Sequence, residues 1–223
     1  MINQERALKE LKKKVLTLGA RVEENVRQSI VSVERHDEVL AQRVFLGDAD
    51  IDHMEVDVEE ECLKILALYQ PVAVDLRFIV AVLKINNDLE RIGDVAVNIS
   101  ERAVYLATHT PLSQQYDFRP MAAKTEEMLK LSLDSLVERD ETIARKVCAM
   151  DDIVDAHNRD AYEHVQESIR KFPEDLVGLI HVLAVARHLE RIADLATNIA
   201  EDVIYMVKGE IVRHRMEDFS SRA

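Results

Sequence analysis

Apolar residues recur along most of this chain with the period of an α-helix. Val22, Val26, Ile30 and Val33 form one such row, and steps of three and four residues keep them on one helix face. Rows of this kind predict helices over residues 4–35, 38–69, 72–109, 120–138, 140–171 and 174–208. Pro71 and Pro173 each stand near a predicted helix start, where a missing N–H goes unnoticed. Gly209 suits the position just past a helix end. The segment 110–119, with Pro111, Ser113 and Asp117, is the one convincing linker. Residues 210–223 read as a polar tail prone to fraying.

The pattern is duplicated. Residues 88–105, DLERIGDVAVNISERAVY, match residues 188–205, HLERIADLATNIAEDVIY, at a spacing of 100. Upstream the spacing is 103: EENVRQSIVSV (23–33) faces EEMLKLSLDSL (126–136), and Asp48 and Asp52 face Asp151 and Asp155. A repeat of about a hundred residues is the size of a domain, not of a solenoid unit. Three antiparallel helices with short turns make a bundle. The expected fold is therefore all-α, with two tandem three-helix bundles related by internal duplication, residues 1–109 and 120–209. A single elongated six-helix array is the alternative.

Composition narrows the function. The formal net charge is -13, and Gly (5) and Pro (4) are scarce. Lys12, Lys13 and Lys14 are the only dense basic run, so a nucleic-acid binder, which gathers cations on one face, is not expected. Cys62 and Cys148 make no CxxC pair and read as small core residues of a reducing compartment. The N-terminus runs straight into a charged helix, and no stretch reaches the ~18 apolar residues of a membrane span. A cytoplasmic protein is expected, meeting membranes only through partners.

The spacing E-x3-D-x3-N-x2-E occurs twice, as Glu90, Asp94, Asn98, Glu101 and as Glu190, Asp194, Asn198, Glu201. At ~100° per residue each set forms a stripe about 80° wide. Arg77, Lys84, Arg91 and Arg102 lie on a separate arc, so the carboxylates share their stripe with apolar residues. Such carboxylates must be paired, protonated or metal-bound. The second helix of each unit adds the i, i+4 pairs Asp48/Asp52 and Asp151/Asp155, which face them in an antiparallel bundle. Two readings stay open: metal at the seams, or salt bridges. All-oxygen sites suit Mg, Mn, Ca or iron. The expected cofactor is a divalent or trivalent ion (Mg, Mn, Fe or Zn). His53 and His157 lie near the Asp pairs, but the histidines read mainly as ordinary surface or half-buried side chains. No Glu-x-x-His pair, P-loop, G-x-G-x-x-G or G-x-S-x-G is present, and an enzyme is not expected.

The paired segments DLERIGDVAVNISE and HLERIADLATNIAEDVIY, with QPVAVDLR (70–77) before the first, closely resemble the PhoU family of phosphate-transport regulators, over nearly the whole chain. The resemblance implies two three-helix bundles, a cytoplasmic location and often a homodimer. It implies a negative regulator of the phosphate-starvation response, an adaptor between the ATPase subunit of the phosphate ABC transporter and the phosphate-sensing histidine kinase. The family's E(D)-x3-D motifs bind metal in some members, including multinuclear iron clusters. They map here onto Asp48 with Asp52, Glu90 with Asp94, Asp151 with Asp155, and Glu190 with Asp194. Two rival functions are a metal-dependent hydrolase using bundle carboxylates and a metal-free helical adaptor.

Overall fold

The computed structural model describes residues 2–210, and among them there are helices and turns but no strand. Helix α1 (Ile2–Arg35) buries Leu11, Val15, Leu18, Val22 and Val26. Helix α2 (Glu38–Tyr69) answers with Val44, Ile51, Val58 and Ile65, one every seventh residue, and α3 (Ala73–Thr108) with Ile85, Leu89, Ile92 and Ile99. Full burial of each such side chain contributes about 1.5–3 kcal/mol. These three helices pack on one another as the first bundle.

The turns repeat closely, with the capping bond shifted by one residue. His36 takes φ 51, and the Asp37 carboxylate caps α2 by accepting from the Leu40 N–H at 3.0 Å. At a spacing of 103, Arg139 takes φ 53 and Asp140 accepts from the Thr142 N–H at 2.7 Å. Just upstream, Ser29 and Ser32 donate to the Val26 and Ser29 carbonyls, and Ser132 and Ser135 donate to those of Leu129 and Ser132. The duplication thus covers the capping chemistry as well as the apolar pattern.

The second bundle consists of α4 (Arg119–Glu138), α5 (Glu141–Cys148), α6 (Asp151–Lys171) and α7 (Leu176–Lys208), with a 3-10 turn at Pro173–Asp175 before α7. The helix expected over 140–171 is therefore two helices, broken at Ala149 and Met150. In the first bundle Gly47 holds the corresponding place, so close to α1 that a Cβ there would lie 2.5 Å from Asn25 Oδ1. Its counterpart is Met150, a large buried side chain, and the helix breaks where the glycine is missing. Pro71 also stands differently from expectation. It precedes the extended Val72, and α3 begins only at Ala73, which has φ 49.

The bundles pack through α3 and α7, with a lesser contact of α1 on α4. Lys84 Nζ reaches the buried Asp202 carboxylate at 3.1 Å and lies 5.3 Å from the Tyr205 ring centroid. The connection between α3 and α4 is pinned to α7. Leu112 covers Gly178, where a Cβ would meet Leu112 Cδ2 at 2.6 Å, and the Ser113 N–H donates to Asp175 at 2.8 Å. No helix among the described residues is long and apolar enough to cross a membrane. The Gly209 expectation fits a left-handed C-cap at φ 76; of the expected tail, residues 211–223 lie outside the described residues.

Candidate metal centre

The acidic residues of α2 and α3 meet along one seam. Asp48 is half-buried, and its Oδ1 is enclosed with no hydrogen-bond partner. Gly93 of α3 makes room for it, since a Cβ there would lie 3.3 Å from that oxygen. Burial, then the charges of Asp52 and Asp94, push the Asp48 carboxyl up to about 6. Glu90 is raised by burial and by Asp94, Asp52 and Glu55, and Glu55 by burial and by Glu59 and Asp52.

A second seam repeats the arrangement between α6 and α7. Burial, then Asp194 and Asp155, push Asp151 up to about 6, although Thr197 Oγ1 approaches its Oδ1 at 3.5 Å. Asp194 is raised by burial and by Glu190 and Asp155, against a smaller opposing pull from Arg191. Among the described residues none of Asp48, Asp52, Glu90, Asp94, Asp151, Asp155, Glu190 and Asp194 lies within ion-pair distance of a Lys, Arg or His. Each seam therefore gathers acid on acid, and protons or a cation would relieve the repulsion and the lost hydration.

The donors are all carboxylate oxygens, the set that hard cations take. Among the described residues, however, no three Asp, Glu, His or Cys side chains already stand in position to hold one ion. The outlying residues of the two stripes part company. Asn98 donates to the Asp94 carbonyl of its own helix at 2.9 Å, and Glu101 is exposed and paired with Arg102 at 3.2 Å. Glu201, its counterpart, is buried beside Cys148, and Asn198 is half-buried. Both cysteines are buried, and burial pushes their thiols up to about 12, far from the thiolate a metal would need.

Sequence reasoning missed Glu55 and Thr197. Glu55 extends the Asp48/Asp52 row by one more turn, but its counterpart at a spacing of 103 is Asn158. Thr197 stands where the first copy has Val97. A search for what the two copies share passes over both.

The PhoU domain model matches this chain twice, at residues 15–103 and 118–203. A phosphate-specific transport system accessory protein PhoU homolog of Aquifex aeolicus is 39% identical over 208 residues, covering 93% of this chain and 94% of the relative. The homolog of Pseudomonas aeruginosa is 35% identical over 93% of this chain and 86% of its own length. The crystal structure of PhoU from Pseudomonas aeruginosa superposes with a TM-score of 0.89 at 33% identity, covering 92% of this chain and 99% of that one. The phosphate transport system regulatory protein PhoU from Streptococcus pneumoniae gives 0.82 at 26% identity, over 94% and 99%. With both domains matched and the acidic seams falling one inside each, this chain belongs to the PhoU family.

Proposed function

We propose that this chain is a regulator of phosphate-specific transport, acting as a negative regulator of the phosphate-starvation response. The observation that carries this reading is the match to accessory and regulatory PhoU proteins along more than nine-tenths of the chain. In detail, the chain is a cytoplasmic adaptor, working as a homodimer, between the ATPase subunit of the phosphate ABC transporter and the phosphate-sensing histidine kinase. Helical surface is what it has to offer such partners. Its five glycines are too scattered to build a phosphate-cradling loop.

The acidic seams serve as metal sites in this reading. Asp48, Asp52, Glu90 and Asp94 hold one centre, and Asp151, Asp155, Glu190 and Asp194 the other. The enclosed, unpartnered Asp48 oxygen and the lack of any ion pair at these eight carboxylates, among the described residues, support it. A bound ion supplies positive charge that neutralises the seam and ties α2 to α3, and α6 to α7. Metal identity follows availability among hard and borderline ions: Mg, Mn, Fe or Zn.

Two experiments test the two halves. Deleting the gene should leave phosphate-responsive genes expressed in high phosphate, and normal repression in the deletion strain would refute the regulatory role. Elemental analysis after mild purification should find metal that falls by half or more in Asp94→Ala with Asp194→Ala. A metal content under one per chain, unchanged by those substitutions, would leave a metal-free adaptor.

A further inference from the structure

The duplication supplies an internal control. Where the two copies share a packing role, their exposed residues should be equally polar. Helix α2 breaks this rule. Leu46 is 77% exposed, Val56 50% and Leu63 54%, and at ~100° per residue they fall, with the exposed Ala49 and Ala67, within an arc of roughly 100°. At a spacing of 103 their counterparts are Ala149, Arg159 and Gln166, all exposed. At Arg159 and Gln166 the same place in the fold is thus satisfied by charged or amide side chains, while Ala149 stands at the break between α5 and α6. The aliphatic residues of α2 are not needed to build the bundle.

Charge separates the two helices as well. Helix α2 carries nine Asp and Glu against Arg43 and Lys64, a net of -7. Helices α5 and α6 together carry seven acids against five Lys and Arg, a net of -2. Glu59 borders the stripe on its α3 side, and Glu60 lies within it beside the exposed Gln42, His53 and Lys64. Neither glutamate has a cationic partner among the described residues, Lys64 being paired with Glu61. An apolar strip edged with unneutralised carboxylates is complementary to a partner that is apolar on one face and cationic along its margins. A second copy of this chain would set one acidic strip against another, and an anionic membrane would be repelled.

We infer that the exposed face of α2, centred on Leu46, Val56 and Leu63, docks a basic amphipathic helix of a partner protein. Residues 45 to 63 span about 27 Å, which an 18-residue helix matches. Its leucine-like anchors lie between the α2 aliphatics, and its Lys or Arg residues reach Glu59 and Glu60. This rests on the adaptor reading and gives it one of its surfaces.

The test uses the full chain and a fluorescent peptide of about 18 residues with Leu on one helical face and Lys on the other. Fluorescence anisotropy should report saturable binding at about 0.15 M salt and none for the same peptide with Glu in place of Lys. Leu46→Ala with Leu63→Gln installs the residues of the second copy, leaves the charge unchanged, and should weaken binding at least ~10-fold. Tyr162→Ala, on the corresponding face of α6, should change nothing. Equal binding by the double variant, or no binding of the Lys peptide, would overturn the inference. So would a wild-type dimer that the double variant turns into a monomer, because the face would then belong to a second copy. In cells, the double variant should fail to restore repression to the deletion strain. Full restoration overturns the docking surface and leaves the regulatory role intact, whereas a deletion that never derepresses removes the regulatory role itself.

Discussion

Asp48 and Asp151 carry the sharpest consequence at the scale of single residues. Their ordinary carboxyl pKa is ~3.9 in an unfolded chain, and each is pushed up to about 6 in the fold. Between those values the folded protein binds protons that the unfolded chain releases. The stability they contribute is therefore full below about pH 4 and is lost as pH rises through about 6. Metal-free protein should melt at a higher temperature at pH 5 than at pH 7. Asp48→Asn with Asp151→Asn removes the repulsion and should flatten that difference. Because both seams are partly open to solvent, the gain at pH 7 is on the order of 1–2 kcal/mol, readable by thermal melts in a chelating buffer. A double variant no more stable than the parent at pH 7 would mean that these acids are already neutralised by groups within the chain.

At the scale of helices, Gly47 explains why α2 is continuous and its counterpart is not. Gly47→Ala drives a methyl to 2.5 Å from Asn25 Oδ1 and 2.9 Å from Arg21 Nη2, and should cost about 1–3 kcal/mol in urea unfolding. At the break Ala149 is exposed and Met150 is buried, so Met150→Ala loses the packing of that side chain. This near-contact also marks what the sequence could convey. Val22, Val26 and Ile30 announce α1 because helical periodicity is a local property, and Asp37 and Asp140 announce helix starts because capping is local too. The break at Ala149 and Met150 depends on how near another helix runs, which no local pattern encodes. The seams divide in the same way. Asp48/Asp52 and Glu90/Asp94 were legible because i, i+4 spacing fixes a helix face and the duplication repeats it. Glu101 and Glu201 occupy equivalent places in the pattern, yet one lies exposed beside Arg102 and the other is buried beside Cys148. Their surroundings come from neighbouring elements that differ between the copies.

The whole molecule is held as one body by α3 against α7, and there the duplication is again imperfect. Lys84 pairs with Asp202 and lies over Tyr205. The equivalent positions on the other side are Ala184, Arg102 and Tyr105, and there Tyr105 stacks on His109 at 3.8 Å and on His181 at 3.7 Å. One side of the interface is closed by an ion pair and the other by a three-ring stack. The ion pair is the costlier to disturb, because the Asp202 side chain is 2% exposed while that of Lys84 is 40% exposed. Removing the cation takes the Lys84 ion pair from a buried carboxylate, a loss larger than the net worth of the pair. Lys84→Met keeps the length of the side chain and most of its contact with Tyr205, so the change isolates the charge. It should destabilise the protein by about 1–3 kcal/mol, a fall of a few degrees in Tm for a chain of this size. Lys84→Met combined with Asp202→Asn should recover much of that loss, since no buried charge is then left over. A double variant as unstable as the single one would place the importance of Lys84 in its packing against Tyr205, and the bundles would be joined by shape rather than by charge.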